Sequence, residues 1–367
     1  MKALYKPGRE SGFELTDVPD PVCGPNDVII KVLSTGICGT DLHIFDYDQS
    51  AAEMIATPLI PGHEFYGEVV ETGSTTTHVQ PGDRVSGEGH VVCQMCRNCR
   101  AGRRQMCIRT ESVGVQRHGA FAEYLTLPEE NVWVHRDESI TNLLGALFDP
   151  FGNAVHTALS FPLVGEDVLI TGAGPLGLMA SAVARHAGAR HVVITDVVED
   201  RLSMAPQVGA DYAVQVPGTT ISQAQEKLGM VEGFDVGLEM SGQASALQEL
   251  IDNMNHGGNI ALLGLPSSTA EFSWARIVTR MLTLKGIYGR EMFDTWHLMT
   301  SMLQTDAQLR DQVSSVITHQ FPAEQWRTAF TTAGSRSAGK VLMHWNGFDP
   351  EPPVFSENSE GREFSHV

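Results

Sequence analysis

Two short segments near the start of the chain contain side chains that could hold a catalytic metal ion. Cys38 opens the segment Cys38-Gly39-Thr40-Asp41-Leu42-His43, and His63 and Glu64 follow a glycine further along. A thiolate, an imidazole and a carboxylate can bind zinc and leave one coordination position open, so that the ion acts as a Lewis acid. A single cysteine or histidine is more often a buried packing residue, so Cys38 and His63 alone leave both interpretations open.

The neighbours of these residues favour the metal interpretation. Asp41 could accept the ring N–H of His63 and fix its tautomer, as carboxylates do for most zinc-bound histidines. Glu64 is predicted to be a ligand that approaches and leaves the metal, with an ordinary surface carboxylate as the alternative. Thr40 and His43 supply a hydroxyl and an imidazole that could relay the proton of an alcohol. A turn threonine and a surface histidine are the alternatives for that pair.

A second group of metal ligands is predicted from one compact loop. Its pattern is C-x2-C-x2-C-x7-C, formed by Cys93, Cys96, Cys99 and Cys107. Four thiolates at this spacing can surround one zinc ion tetrahedrally, whereas disulfides are disfavoured in the cytosol; an iron–sulfur cluster is the remaining alternative. Because four sulfur ligands leave no open position, this zinc is predicted to hold a loop rather than to take part in a reaction.

A further carboxylate lies in an apolar segment. Asp149 belongs to the run from Phe148 to Asn153, where an unpaired charge would be costly, so we expect it to face a cation or hydrogen-bond donors. Its alternative is the cap of a helix from Asn153 to Leu159.

The second half of the chain has the pattern of a parallel sheet with crossover helices. From about residue 153, apolar runs alternate with amphipathic segments. One helix is predicted to run through His186 and to close at Gly188. The predicted strands are Asp167 to Thr171, His191 to Thr195, Tyr212 to Val216, Phe234 to Glu239, Asn259 to Gly264 and Thr283 to Tyr288.

A glycine motif at the end of the first of these strands predicts a dinucleotide site. Gly172, Gly174 and Gly177 form G-x-G-x-x-G between that strand and the helix. Glycines there let the backbone approach a pyrophosphate at the helix N-terminus. Asp196, at the end of the next strand, would bind the ribose hydroxyls and repel a 2′-phosphate, which favours NAD over NADP. Arg201 could flank the adenine or receive a phosphate.

The tips of the last two predicted strands are candidates for the nicotinamide pocket. They are Leu263-Gly264-Leu265 and Ile287-Tyr288-Gly289. Ligands of open parallel sheets bind outside the carboxyl ends of the strands, although these tips could also be ordinary strand ends.

Length and charge set limits on the class of protein. The chain has 367 residues, more than one hydrophobic core usually serves, which predicts two domains. A net charge of -19 repels phosphate backbones and anionic membranes, so nucleic acid is not an expected partner. The first residues lack the apolar core of a signal peptide, and no uncharged run predicts a membrane span, so a cytoplasmic location is expected.

Taken together, these features resemble the zinc-dependent medium-chain dehydrogenase family. The resemblance covers residues 1 to about 346 and also rests on the segments Arg84 to His90, Phe148 to Leu159 and Gly286 to Phe293. It implies an α/β protein with a GroES-like, mostly β catalytic domain over residues 1–152 and 293–346. A Rossmann NAD-binding domain with a doubly wound, six-stranded parallel sheet is implied over residues 153–292. Residues 347–367 are polar, acidic and proline-bearing, which predicts a flexible tail.

The resemblance also implies roles for individual residues. Cys38, His63 and Glu64 match the ligands of a catalytic zinc, and the four cysteines match those of a structural zinc. Thr40 and His43 match a proton relay, and Asp149 matches a position where many polyol-oxidising relatives have a glutamate ligand. The residues that match NAD contacts are Leu176, Asp196, Arg201, Leu263, Gly264, Leu265, Ile287 and Tyr288.

Within that family, the segments around Cys38, Arg84, Phe148 and Gly286 closely resemble the members that oxidise L-threonine at C3. This similarity implies the product 2-amino-3-oxobutanoate, a homotetramer, and a CoA-dependent ligase of that product as a functional partner. Zwitterionic threonine needs a partner for its carboxylate, and His90 and Arg290 are the predicted ones.

Two other functions stay open at this point. A polyol or secondary-alcohol dehydrogenase would need the same metal and cofactor and would differ only in its pocket. A non-catalytic cofactor-binding module would keep the fold but would have no need for an open metal position, and the set Cys38, Thr40, His43, His63 and Glu64 argues against it.

Overall fold

A computed structural model of the chain describes residues 1–266, 269, 271–335 and 337–346. The tail predicted over residues 347–367 lies outside the described residues. In the described part of the chain no helix is both long enough and apolar enough to cross a membrane.

The β-strands of the described residues are numbered in chain order. They are β1 (Lys2–Tyr5), β2 (Glu14–Asp17), β3 (Asp27–Gly36), β4 (Glu64–Thr72), β5 (Arg84–Gly87), β6 (His90–Val91), β7 (Glu111–Ser112), β8 (Tyr124–Pro128), β9 (Val132–Val134), β10 (Asp167–Thr171), β11 (His191–Asp196), β12 (Tyr212–Gln215), β13 (Phe234–Glu239), β14 (Met254–Leu262), β15 (Thr283–Gly286), β16 (Ile317–Pro322) and β17 (Lys340–His344).

The α-helices follow the same order. They are α1 (Gly39–Asp46), α2 (Gln49–Met54), α3 (Arg97–Arg100), α4 (Asn142–Ala146), α5 (Phe148–Ala158), α6 (Pro175–His186), α7 (Glu199–Leu202), α8 (Ile221–Lys227), α9 (Ala244–Asn253), α10 (Trp274–Thr279), α11 (Asp294–Thr305), α12 (Ala307–Ser315) and α13 (Trp326–Ala333).

The second half of the chain forms the predicted doubly wound sheet. Six parallel strands lie in the order β12-β11-β10-β13-β14-β15. The first strand, β10, therefore has β11 on one side and β13 on the other. In sheets of this order, ligands bind beyond the carboxyl ends of the strands at such a switch point. This order confirms the predicted Rossmann fold.

Helix and strand bounds differ from the predictions mainly in β14. The strand begins at Met254, five residues before the predicted Asn259. Met254 pairs with Phe234 at the start of β13, and an irregularity in the register separates this pair from the next one, Asn259 with Val236. The polar, glycine-rich run after Met254 hid that part of the strand. β15 ends at Gly286, so Ile287 and Tyr288 lie just beyond the strand. Helix α6 ends at His186 as predicted, and Gly188 follows in the left-handed region with φ 90°.

The first half of the chain forms a mostly antiparallel sheet. Its strands lie in the order β16-β17-β3-β4-β5-β9, and β8 pairs with β3. The last strand, β17, pairs antiparallel with β3, so the end of the described chain is part of the sheet built by its beginning. Before it, α11 packs on α5 and α12 packs on α6. The exact bounds of the two domains remain predictions.

Candidate active site

The pairing of β3 with β4 brings the first group of metal ligands together. Gly36, at the end of β3, lies opposite Glu64, at the start of β4. Cys38 follows β3 and His63 precedes β4, so the pairing of these two strands brings both residues close together. The absence of a side chain at Gly36 leaves room for Glu64, because a Cβ atom there would lie 2.1 Å from its carboxylate oxygen.

Helix α1 holds Cys38 at its N-terminus. Cys38 is the N-cap residue, and the carboxylate of Asp41 accepts a hydrogen bond from its backbone N–H at 2.9 Å. The hydroxyl of Thr40 lies 3.9 Å from the Cys38 sulfur.

Cys38, His63 and Glu64 form one cluster, and we refer to these three residues as the Cys38 cluster. One potential ligand atom from each residue lies within 4.8 Å of the others. The three donors fit zinc, because thiolate, imidazole and carboxylate are its usual ligands. Asp149 does not belong to the cluster within the described residues.

Two unpaired atoms behind the cluster support the fit to a metal. Asp41 Oδ1 and His63 Nδ1 are both buried without a hydrogen bond, and they face each other at 3.8 Å. Burial raises the pKa of Asp41 to about 6. Burial alone would lower the pKa of His63, but the negative charges of Asp41 and Cys38 raise it well above its ordinary value. The surroundings of His63 therefore favour a positive charge, which a cation would supply.

Lys340 is a partner of this cluster that sequence reasoning missed. Its ammonium donates to both carboxylate oxygens of Glu64, at 2.7 and 2.8 Å, and to the carbonyl of Ile37 at 3.1 Å. Burial lowers the pKa of Lys340, but the charge of Glu64 outweighs it, so the pKa is raised overall. Glu64 thus has a charged partner of its own and does not depend on a metal to be satisfied. This geometry suits a ligand that exchanges.

The predicted relay histidine lies at the surface. The side chain of His43 is 54% exposed, and its Nδ1 lies 2.5 Å from a carboxylate oxygen of Asp48. When Nδ1–H donates to this carboxylate, Nε2 is the nitrogen that can exchange a proton with water. Asp48 also caps α2, since it accepts the backbone N–H of Ala51.

The four cysteines meet as predicted. Their sulfur atoms lie within 4.8 Å of one another. Peptide N–H groups point at them: Cys96 N–H donates to the sulfur of Cys93, and Arg109 N–H donates to the sulfur of Cys107. Such donors lower the pKa of Cys93, whereas burial raises the pKa of Cys99. A loop that offers backbone N–H groups to its own sulfurs is preorganised for thiolates and therefore for a metal.

The glycine turn after β10 has the close packing that a dinucleotide site requires. Gly172 has φ 99°, and a Cβ atom at Gly177 would lie 1.9 Å from the Gly172 carbonyl oxygen. Helix α6 starts at Pro175 with Gly174 as its N-cap. The turn therefore presents an open helix N-terminus, the kind of site that binds phosphates.

The residues predicted for the adenosine side lie beside this turn. Asp196 accepts the backbone N–H of Ala173 at 2.7 Å and that of Val198 at 2.9 Å. Each carboxylate oxygen keeps a lone pair for a ribose hydroxyl. Arg201 Nε is buried and has no hydrogen-bond partner among the described residues, so a donor is free there for a ligand.

The predicted nicotinamide residues lie at the neighbouring strand ends. Ile287 is buried, and Leu265 and Tyr288 are exposed. Gly264 packs against the turn after β13, where a Cβ atom would lie 2.1 Å from the backbone nitrogen of Gly242. The ring of Tyr288 lies 5.2 Å from that of His90, so the end of β15 meets the start of β6.

Known proteins match both halves of the chain. Residues 24–137 match the alcohol dehydrogenase GroES-like domain, and residues 175–305 match the zinc-binding dehydrogenase family. An L-threonine 3-dehydrogenase of Saccharopolyspora erythraea is 59% identical over 94% of this chain and 99% of its own. A second one, of Streptomyces avermitilis, is 58% identical over the same shares. The chain belongs to the zinc-dependent medium-chain dehydrogenase family.

The structural comparison agrees with the family fold. The galactitol-1-phosphate dehydrogenase of Escherichia coli superposes with a TM-score of 0.85 at 23% identity, over 94% of this chain and all of that one. Family membership confirms the enzyme class and the zinc and NAD cofactors predicted from the sequence. The residues that carry each role stay predictions.

The predicted role of Arg290 in binding substrate does not agree with the geometry of this medium-chain dehydrogenase. Its side chain is 1% exposed. Its N–H groups already face Glu88, Asp149 and Asn153. A guanidinium has five donors, and these contacts occupy them, so none is left for a substrate carboxylate. Sequence reasoning placed Arg290 near the site but could not see the two acids that bind it.

The structure also contradicts the alternative interpretation of Asp149 as the cap of a helix. Helix α5 begins at Phe148, so Asp149 lies in the first turn of the helix instead of capping one that starts at Asn153. Its carboxylate pairs with Arg290 at 2.7 Å. The expectation that this buried acid faces a cation or donors agrees with the pairing, and the cation is a guanidinium.

Proposed function

We propose that this medium-chain dehydrogenase oxidises the C3 hydroxyl of L-threonine with NAD and forms 2-amino-3-oxobutanoate and NADH. The observation that carries the proposal is the Cys38 cluster, three potential metal ligands with the hydroxyl of Thr40 lying 3.9 Å from the Cys38 sulfur. The substrate is proposed from the two relatives that share more than half of their residues with this chain and are named L-threonine 3-dehydrogenases.

In this proposal Cys38, His63 and Glu64 hold the catalytic ion. Bound zinc would supply a Lewis acid at the substrate hydroxyl, and bound NAD would supply a hydride acceptor. Asp41 orients the ring of His63 from behind. Lys340 would give Glu64 a charged partner whenever its carboxylate is not bound to the ion.

Thr40 and His43 are the proposed relay for the proton of the substrate hydroxyl. Thr40 lies next to the cluster, within 3.9 Å of the Cys38 sulfur. His43 is half exposed, so it can release the proton to water. Asp48 fixes the His43 ring and leaves Nε2 for the exchange.

The cofactor preference is proposed from the adenosine side. The glycine turn receives the pyrophosphate, and the carboxylate of Asp196 binds the ribose hydroxyls. A carboxylate at this position repels the 2′-phosphate of NADP. Leu176, Arg201 and the strand tips at 263–265 and 287–288 complete the proposed NAD contacts.

The same proposal includes a second zinc ion, an oligomeric state and a functional partner. The four cysteines hold a second, structural zinc, which gives two zinc ions per chain. We propose a homotetramer in the cytoplasm and a CoA-dependent ligase that consumes 2-amino-3-oxobutanoate as the functional partner. The proposed domains are residues 1–152 with 293–346, and residues 153–292.

An assay with three alcohols tests the substrate. The zinc-loaded chain is incubated with NAD and L-threonine, sorbitol or butane-2,3-diol, and NADH is measured. We expect the highest kcat/KM with L-threonine, and a clearly lower value when NADP replaces NAD. A higher kcat/KM with either diol would reject L-threonine as the substrate and would support the polyol alternative. Absence of NADH with all three would reject the enzyme function proposed for this chain.

A further inference from the structure

One buried carboxylate connects several segments that surround the Cys38 cluster. Glu88 follows β5 and is fully buried. Its two oxygens accept hydrogen bonds from Arg290 Nη2 at 2.6 Å and from Arg290 Nε at 2.8 Å, which is a bidentate pair. The indole N–H of Trp296 adds a third contact at 2.9 Å. Burial would raise the pKa of Glu88, but Arg290 and His90 hold it well below its ordinary range.

Through Arg290 this carboxylate fixes the position of Asp149. The guanidinium donates to the Asp149 carboxylate at 2.7 Å, to its backbone carbonyl at 3.0 Å and to the Asn153 amide oxygen at 3.1 Å. Gly152 makes room for the arginine, because a Cβ atom there would lie 2.4 Å from Arg290 Cδ. Asp149, in the first turn of helix α5, is thus held by the buried guanidinium of Arg290.

The same carboxylate also fixes His90. Glu88 Oε1 lies 2.7 Å from His90 Nδ1 and accepts the His90 backbone N–H at 3.0 Å. Nδ1 therefore donates to the carboxylate, and Nε2 has no hydrogen-bond partner among the described residues. The His90 ring also lies against Tyr288. One acid thereby sets the tautomer of a ring beside the proposed nicotinamide site.

The Asp149 end of this network lies next to the Cys38 cluster. Gly89 separates Glu88 from His90 in the chain, and a Cβ atom at Gly89 would lie 3.7 Å from both Asp149 Oδ2 and His63 Cβ. Asp149 is also close enough to His63 to raise its pKa. Glu88 itself is held by protein groups on all sides and contacts no residue of the cluster in the described part of the chain.

We propose that Glu88 is a positioning residue for the reaction: it holds Arg290 and His90 so that the Asp149 carboxylate and His90 Nε2 face the substrate side of the metal site. This inference rests on the proposed function for the identity of the substrate. Stability alone gives little reason for the network, since well-packed apolar residues often replace a buried ion pair without loss of stability.

The test compares Glu88→Gln with a matched variant elsewhere. Glutamine keeps the size of the side chain but removes the charge that Arg290 and His90 share. Asp167→Asn is the control, because Asp167 is also a buried carboxylate that binds an arginine, Arg190, and a histidine, His191. It begins β10, at the opposite end of the sheet from the glycine turn. The control should lose stability without losing activity.

We expect Glu88→Gln to lower kcat/KM on the order of 10- to 100-fold, the usual cost of losing a group that orients a metal-site residue. Zinc content and the dissociation constant of NADH should stay as in the wild type, and kcat should fall more than KM rises. A folded, zinc-loaded Glu88→Gln with kcat/KM within about twofold of the wild type would overturn the proposal, as would an equal loss in Asp167→Asn.

A second variant covers the case in which Glu88→Gln does not fold. Arg290→Lys keeps the positive charge but cannot bind both acids at once, so kcat/KM should fall in the same direction. Both variants are assayed with whichever alcohol the wild type oxidises fastest. If the wild type oxidises none, the proposed function fails while the positioning role is still tested. A crystal structure of either variant with Asp149 and His90 in their wild-type places would then overturn it.

Discussion

The four cysteines of the loop at residues 93–107 lie within one short segment, whereas Cys38, His63 and Glu64 meet only through the pairing of β3 with β4. The loop surrounds its sulfurs with its own backbone N–H groups and offers only sulfur. The Cys38 cluster offers three different donors, and a buried lysine and a buried aspartate lie behind them.

We expect this difference to distinguish a site that stabilises the loop from a site that can bind and activate a substrate. Four sulfurs would complete the coordination of a zinc ion, so an ion in the loop would have no position for a substrate. Three donors leave a position open, and Glu64 has Lys340 to pair with if it leaves the metal. Substitutions in one cluster should therefore affect that cluster and spare the other.

The largest effect is expected for activity when Cys38 is replaced. Cys38→Ser should lower NADH formation by about 10³-fold or more, because the Lewis acid contributes several kcal/mol to the reaction and each 1.4 kcal/mol is about tenfold in rate. Metal analysis should show that zinc falls from two ions per chain to one, while the melting temperature changes little. Unchanged NADH formation would show that the Cys38 cluster is not the catalytic site.

Cys96→Ser should act on stability first. Loss of a structural zinc removes several kcal/mol of folding free energy, so the melting temperature should fall by roughly 10 °C or more. Cys23→Ser is the control, since Cys23 lies outside both clusters. If Cys96→Ser kept both zinc ions and its melting temperature, the four cysteines would not be a metal site.

A smaller change in stability is expected for Lys340→Met. It leaves the buried Glu64 carboxylate without its cation, and breaking a buried pair by removing one partner costs about 3 kcal/mol or more. Denaturant unfolding should show this loss in the zinc-free protein and a smaller one after zinc is added, because the ion then neutralises Glu64. An equal loss with and without zinc would argue against contact between Glu64 and the metal.

The smallest effect is expected for Asp41→Asn, which should weaken zinc binding at the Cys38 cluster. The amide can still accept the N–H of Cys38 but gives His63 a weaker partner. Affinity for the catalytic zinc should fall on the order of 10- to 100-fold, while the zinc of the four cysteines stays bound. Competition with a chelator measures both ions separately, and equal weakening of the two would indicate a general loss of structure instead.

The predictions that succeeded rest on local patterns. The glycine motif specified the turn, its neighbouring strands and the helix through His186, and these features need only residues close in sequence to form. The predicted start of β14 was wrong because a glycine-rich run gave no sign of pairing. The role of Arg290 as a substrate ligand was wrong for another reason, because its two acids lie far away in the chain.

The sequence by itself predicted the two clusters of potential metal ligands, the glycine turn and the family, because these predictions rest on residue types in short motifs. Only the tertiary structure decided which charges stand behind them. Lys340 is 276 residues from Glu64, and Arg290 is 202 residues from Glu88. A buried charge must have a partner, since leaving it alone costs several kcal/mol. The fold decides which residue becomes that partner, and a local sequence pattern does not predict it.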